Sequence, residues 1–203
     1  MDAAVIRRGL AVLAERDAAL AAALRQLGPP PPRIRPHGFR TLLHIIVGQQ
    51  LSIHAAAAIL KRLEQAAPDL GPEAVTALDD ATLRAAGLTF RKIGYVRALA
   101  DALSRGEPDL EVLPRLDDAA VVASLSRLRG FGRWSAEIYA LFALGRRDIF
   151  PAGDLALREA LRRLRGLPER PDEAVARELA ADWAPWRGVG ALFLWHYHHR
   201  MPA

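Results

Sequence analysis

LRGFGRWSAEIYALFALGRRDIFPAGD, residues 128–154, sets a glycine-flanked turn, an apolar helix and a lone acid one after another. The turn is Gly130-Phe131-Gly132, entered from one apolar face (Val121, Val122, Leu125, Leu128) and left along another (Trp134, Ile138, Leu141, Phe142). Two glycines this close permit positive φ and leave bare backbone at the start of a helix. The first N–H groups of that helix have no partner within it and the dipole there is positive, so an anion such as a phosphate is favoured. Arg129 and Arg133 flank the turn, and Ser135 follows in the first helical turn. The pattern predicts a helix–hairpin–helix holding a nucleic-acid backbone through Gly130, Phe131, Gly132, Arg133 and Ser135.

The acid is Asp154. A helix over 133–144 would run roughly 18 Å from the hairpin, and the extended residues 145–153 could return about 30 Å. Asp154 also directly precedes LALREALRRL, an apolar-periodic helix, which makes it an N-cap. Taken alone, the cap is the stronger reading. The two roles are compatible, because a helix N-terminus favours a carboxylate in its ionised form and an ionised carboxylate is what a site stabilising a cation needs.

The 203 residues suffice for one domain or two small lobes with a true core, and 51% hydrophobic residues argue against disorder. The net charge of +5 points weakly to an acidic polymer as partner. Of 28 basic residues all but Lys61 and Lys92 are arginine, the residue suited to bidentate phosphate contacts. With no cysteine, the chain has no disulfide, no thiolate nucleophile, no Cys-based zinc site and no cysteine-ligated iron–sulfur cluster. Apolar runs such as AAAAIL at 55–60 fall short of a membrane span, and MDAAVIRRGL lacks a signal-peptide pattern.

From the N-terminus, Asp2 predicts a capped helix to about Leu27, followed by Gly28 and the stiff run Pro29–Pro32. Helices follow over about 39–47 and 52–65, separated by Gly48-Gln49-Gln50-Leu51, with Ser52 as N-cap. Glutamine can bond to base edges and leucine can wedge between bases. An ordinary helix–helix turn accounts for this segment too, and is the favoured account when it stands alone. Gly71-Pro72, Asp79 or Asp80, Thr89, and Asp117 or Asp118 open further helices. Phe90, Ile93, Val96, Leu99 and Leu103 predict a buried stripe, with Arg91, Lys92 and Arg97 on a solvated face and DNA contact the lesser reading for them. Helices to about Arg165, to about Asp182 and over about 186–199 complete an all-α chain. A lobe boundary is expected near residue 36, giving one lobe over 37–144 with the glutamine break and the hairpin, and a second over 1–36 plus 145–203 with Asp154.

Trp134 sits in the first turn after the hairpin, and Trp195 lies on a late helix that could pack beside it. Such rings offer flat walls for a flipped base and extra attraction for a cationic one. His196, His198 and His199 lack the spacing of a zinc pair on one helix face, and a frayed terminal turn is expected. His44 and His54 flank the glutamine break, where contact with phosphate is one reading and a satisfied surface histidine the favoured one.

Over residues 36–200 the chain resembles the helix–hairpin–helix superfamily of DNA glycosylases, and within it the bacterial 3-methyladenine DNA glycosylase II group. VGQQLS resembles the family's minor-groove insertion element, LRGFGRWSA its hairpin, DIFPAGDLAL the segment with its catalytic aspartate, and PWRGVGALFLWHY its closing helix. The resemblance implies two helical lobes with a cleft between them and no iron–sulfur cluster. It makes Asp154 the catalytic acid, Gln50 the residue filling the gap left by the extruded nucleotide, and Leu51 the wedge beside it. Trp134, Trp195 and Ile138 would line the base pocket, where Ile138 replaces a tyrosine of the best-known members and leaves a less stacked pocket. Main-chain oxygens of Ser126, Leu128 and Phe131 would hold a structural Na+ or K+, and catalysis would need no cofactor. Members that also cut the strand carry a lysine where Trp134 stands. The implied activity is therefore monofunctional excision of alkylated, cationic purines such as 3-methyladenine and 7-methylguanine from damaged double-stranded DNA, by a monomer in the bacterial cytoplasm at the nucleoid. Oxidised or deaminated bases as substrate, or a non-catalytic DNA-binding hairpin module, are the competing readings.

Overall fold

The computed structural model describes residues 1–201. Among these the regular structure is helical throughout, with no strand. The helices are α1 (Ala3–Arg16), α2 (Ala18–Leu27), α3 (Phe39–Gly48), α4 (Ile53–Ala66), α5 (Pro72–Ala77), α6 (Asp80–Ala85), α7 (Phe90–Ser104), α8 (Asp118–Ser126), α9 (Arg133–Phe142), α10 (Leu155–Arg165), α11 (Glu173–Leu179) and α12 (Arg187–Arg200). Single 3₁₀ turns lie at 113–115 and 181–183. No helix among the described residues is long and apolar enough to cross a membrane. The chain forms two compact units, one of residues 35–139 and one of residues 1–34 with the chain from 140 onward.

In the unit that contains residues 1–34, α12 is the core. Its run GVGALFLW is apolar on every side, and all of Gly188 to Trp195 is buried. Helices α1, α2 and α10 pack around it through Leu10, Leu13, Leu20, Leu157 and Leu161. Gly188 lets α12 start directly on the preceding loop. A Cβ there would lie 2.7 Å from Leu141 Cδ1 and 2.8 Å from the Arg147 carbonyl oxygen, which accepts the Gly188 N–H at 2.8 Å.

The single helix expected up to Leu27 is two helices, broken at Asp17. Asp17 accepts the Leu20 N–H at 3.0 Å as the cap of α2, and its buried carboxylate also receives the Arg165 guanidinium (3.0 and 2.6 Å) and the Trp183 indole N–H (2.8 Å). A continuous helix would forgo that arrangement. The C-terminal histidines do not lie on a frayed turn: α12 runs to Arg200, His196 Nε2 is hydrogen-bonded to the Leu27 carbonyl (3.4 Å), and His198 is half-buried. Burial, followed by the charges of Arg163 and His199, holds His198 below the usual histidine range. Among the described residues no group of three or more His, Cys, Asp and Glu is arranged to hold a metal.

In the second unit α3 is the buried helix, with Phe39, Leu42, Leu43, Ile45, Ile46 and Val47 in the core and α4 and α7 packed on it. Side-chain caps form at Ser52 (to Ala55 N–H, 3.2 Å), Asp79 (Thr82, 2.7 Å), Thr89 (Lys92, 3.2 Å) and Asp117 (Ala120, 2.7 Å). Tyr139 closes the entry to α3: its hydroxyl accepts the Gly38 N–H (2.9 Å) and bonds to His37 Nδ1 (2.7 Å), while His37 Nε2 bonds to the Leu110 carbonyl (2.8 Å).

Three expectations here are corrected. Phe90 is not part of the buried stripe but 71% exposed, with the Arg84 guanidinium 4.6 Å from its ring centroid. Ile93, Val96 and Leu99 form the stripe, because Phe90 is the first residue of α7 and lies beyond what packs on the helix. Arg97 is not simply solvated: it donates to Asp80 (2.6 Å) and to the carbonyls of Leu78 (2.8 Å) and Thr76 (3.2 Å). His44 is not a satisfied surface residue, since its buried Nε2 has no hydrogen-bond partner although Nδ1 meets Arg35 at 3.2 Å.

Candidate functional site

The hairpin forms where α8 runs out of ladder. Leu128 N–H bonds to the Leu125 carbonyl (3.1 Å) and Phe131 N–H to the Leu128 carbonyl (2.9 Å), and Gly130 takes φ +83°. A Cβ on Gly130 would lie 2.4 Å from the Tyr95 ring, so backbone and ring are in direct contact. Gly132 differs: its φ is not positive, and a Cβ there would meet nothing within 4 Å. Its bareness serves no packing within the unit and leaves the backbone open to an approaching ligand. The ladder of α9 begins with Ala136 N–H to the Gly132 carbonyl (3.1 Å), which leaves the first-turn N–H groups outside the helix's own bonding. Arg133 is exposed and paired with Glu137 at 2.9 Å. Ser135 is buried and its Oγ accepts from Gln49 (3.1 Å), so any phosphate contact at this residue would be through its backbone.

The carbonyls of Ser126 and Phe131 accept no hydrogen bond within the described residues, and that of Leu128 accepts one. Neutral main-chain oxygens are the kind of donor that a hard cation takes.

Between α3 and α4, Gln50 adopts φ +57°, a left-handed conformation rare outside glycine. Gln50 and Leu51 project at the tip, with Leu51 41% and neighbouring Ile53 77% exposed. A cleft of about 490 Å³ runs beneath them, lined by Gln50, Leu51, Arg91, Lys92, Tyr95 and Gly130. Two side chains tie this loop down. Gln49 Nε2 donates to the Gly130 carbonyl (2.8 Å) and to Ser135 Oγ (3.1 Å). Lys92 Nζ donates to the carbonyls of Val47 (2.6 Å) and Gln49 (2.8 Å). Burial pulls the Lys92 ammonium below the usual lysine range. Lys92 is therefore not on a solvated face as expected, and a lysine far from the hairpin in sequence shares a cleft with it. Trp134 is half-buried and Ile138 buried, both on α9 in this unit.

In the other unit Asp154 is the N-cap of α10. Its Oδ1 accepts the N–H groups of Ala156 (2.9 Å) and Leu157 (3.0 Å) and the indole N–H of Trp195 (3.2 Å). Trp195 is only 8% exposed and lies tilted against Phe142, with ring centroids 5.6 Å apart. The Arg33 guanidinium lies 4.7 Å from the Phe142 centroid and 5.9 Å from that of Trp195. The loop before Asp154 is pinned rather than free-running. Asp148 receives Arg187 through two guanidinium bonds (2.9 and 2.7 Å) and its backbone N–H (3.1 Å), and Phe150 packs edge-on to Trp183 at 6.2 Å. Arg177 donates to the Phe150 carbonyl (3.0 Å), and Asp154 N–H to that of Pro151 (2.9 Å).

Sequence reasoning missed Gln49, Lys92, Tyr95, Arg33 and the Asp148–Arg187 pair. The doubled glutamine and the rarity of lysine were signals for two of them. Nothing in the sequence marked the others.

A hairpin with an open backbone and a braced loop of exposed Gln50 and Leu51 define a helix–hairpin–helix protein of the nucleic-acid-handling class. More narrowly, the chain belongs to the HhH-GPD superfamily of base excision DNA repair proteins, whose family model matches residues 43–185. It is 32% identical over 161 residues to DNA-3-methyladenine glycosylase 1 of Schizosaccharomyces pombe, covering 77% of this chain and 71% of the relative. It is 27% identical over 165 residues to the putative DNA-3-methyladenine glycosylase YfjP of Bacillus subtilis, covering 77% of this chain and 58% of that one. The fold superposes on that of Schizosaccharomyces pombe 3-methyladenine DNA glycosylase (Mag1), solved in complex with abasic DNA, with TM-score 0.85, 27% identity, and 93% and 95% of the two chains covered.

Proposed function

We propose that this protein is a monofunctional DNA N-glycosylase that flips alkylated purines such as 3-methyladenine and 7-methylguanine out of duplex DNA and hydrolyses their glycosidic bond. The observation that carries this reading is Asp154, a carboxylate fixed by three N–H donors, in a chain whose relatives include proteins named DNA-3-methyladenine glycosylase. Alkylation at a ring nitrogen makes the base a cationic leaving group, so little general-acid help is needed. The C1′–N bond breaks with its electron pair going to the purine, which leaves neutral. Asp154 stabilises the developing oxocarbenium sugar, water supplies the oxygen to C1′, and its proton passes to Asp154 or solvent.

The hairpin backbone, Arg133 and the first-turn N–H groups of α9 hold a phosphate. Ser126, Leu128 and Phe131 would hold a monovalent cation, which when bound would supply a positive charge to that phosphate. Gln50 fills the vacated stack with Leu51 beside it, and Trp134 and Ile138 of one unit and Trp195 of the other are the residues this reading assigns to the extruded base. Two points favour hydrolysis without strand cleavage: by the resemblance, Trp134 stands where strand-cutting members carry a lysine, and the Lys92 ammonium is engaged by two carbonyls.

The test is incubation with duplex DNA methylated by an alkylating agent, with free bases resolved by chromatography and strand breaks scored with and without alkali. Release of 3-methyladenine or 7-methylguanine, with breaks after alkali alone, is expected. In Asp154→Asn, release falls by orders of magnitude while binding to an abasic-analogue duplex is kept. Binding without release by the wild type overturns the reading in favour of another lesion or a binding module.

A further inference from the structure

Two segments distant in sequence converge on Gln49 at the end of α3: the first turn of α7 and the hairpin. Helix α3 ends in carbonyls that its own ladder cannot satisfy, and a cation there is favoured by the dipole as well as by the hydrogen bonds. Lys92 is that cation, with Nζ 2.6 Å from the Val47 oxygen and 2.8 Å from the Gln49 oxygen. The side chain of the same Gln49 reaches the Gly130 carbonyl at 2.8 Å. The residue after it, Gln50, holds φ +57°, which a non-glycine residue keeps only when its surroundings impose it.

From this geometry we infer that Lys92 is a positioning residue for duplex opening, clamping the loop that carries Gln50 and Leu51 onto the hairpin so that the loop stays rigid against the base stack. The inference rests on the proposed glycosylase reading and adds to it how the insertion loop is held. A loop pushed into a helix bears a reaction force along its own backbone. Here that backbone is anchored on one side by Lys92 through two main-chain oxygens and on the other by Gln49 through the hairpin. Without Lys92, the carbonyls of Val47 and Gln49 lose their ionic donor, and the peptide that leads from Gln49 into Gln50 loses its anchor. Lys92 would not touch the reacting atoms, so its removal bears on opening the duplex rather than on the hydrolytic step.

That separation is measurable. Single-turnover release of one 7-methylguanine is compared between a duplex and the same oligonucleotide as a single strand, which needs no wedge. Opening is followed independently by 2-aminopurine fluorescence beside an abasic analogue in duplex DNA. Lys92→Met is expected to lose about 10- to 100-fold in duplex release, the scale set by losing hydrogen bonds to a charged group, and to lose the fluorescence rise. Its single-strand release stays within about 3-fold of wild type. Lys92→Arg, which keeps the charge and donors, recovers most of the duplex activity and covers the case in which the methionine variant does not fold. Arg97→Met is the comparison: Arg97 ties the same helix to carbonyls at Thr76 and Leu78, away from the loop, and its loss should not separate the two substrates. Equal losses on duplex and single strand, or an unchanged fluorescence rise, overturn the role of Lys92. If wild type releases no base from either substrate, the glycosylase reading fails on its own, and the 2-aminopurine signal still decides whether Lys92 holds the loop.

Discussion

At Asp154 a helix cap and a candidate catalytic carboxylate coincide because both need the same thing, N–H donors converging on one oxygen. Asn caps a helix about as well as Asp, so Asp154→Asn should keep stability within about 0.5 kcal/mol, whereas Asp154→Ala should cost about 1 kcal/mol in a denaturant titration. Loss of base release in the asparagine variant is then a loss of charge and not of fold. Trp195 holds the carboxylate through its indole N–H at 3.2 Å. Trp195→Phe keeps a flat ring against Phe142 but removes that donor. A hydrogen bond to a charged group contributes about 1.5–3 kcal/mol, so we expect kcat to fall by roughly 10- to 100-fold with KM little changed. A variant whose kcat equals that of wild type would show that the indole N–H does not orient the acid.

Among the elements, the hairpin carries a prediction that turns on geometry alone. Gly130→Ala meets two obstacles, φ +83° and a Tyr95 ring 2.4 Å from the new Cβ. The first costs about 1–2 kcal/mol for an L-residue and the second adds overpacking, so a loss of roughly 2 kcal/mol or more is expected, together with weaker binding to any duplex. Trimming the ring as well, in Gly130→Ala with Tyr95→Ala, relieves the clash but not the backbone strain. Affinity should stay low in the double variant, and full recovery would mean the left-handed turn is dispensable. Gly132→Ala has neither obstacle, and is expected to fold normally while losing affinity for DNA, as read by fluorescence polarisation.

For the whole molecule the clearest pH dependence comes from Tyr139. Burial raises its hydroxyl to about 12, against the smaller opposing effect of the Gly38 N–H. In the unfolded chain the phenol titrates near 10, so the folded state favours the neutral form. The stabilisation is complete below pH 10 and is lost as pH rises through 12, amounting to about 2–3 kcal/mol across that window. Tyr139→Phe is expected to be less stable at neutral pH by about 1 kcal/mol, because the Gly38 N–H loses its acceptor, but flatter between pH 10 and 12. Parallel curves for variant and wild type in thermal unfolding would show that another group governs alkaline denaturation.

The residues by themselves determined whatever depends on near neighbours. Ser52, Asp79, Thr89, Asp117 and Asp154 cap the helices they precede because each contest is between one side chain and N–H groups two or three residues away. The all-helical class and the hairpin follow from the same local arithmetic of periodicity and glycine. Tertiary structure alone decided what closes over distance. Lys92 reaches the Gln49 carbonyl across 43 positions, and Trp195 reaches Asp154 across 41. Asp17 breaks a helix that its own neighbourhood would continue, because Arg165 and Trp183 converge on it from far along the chain. Phe90 has the right phase for the buried stripe yet stays exposed. Periodicity tells which side of a helix a residue is on, and packing tells whether anything is there to cover it.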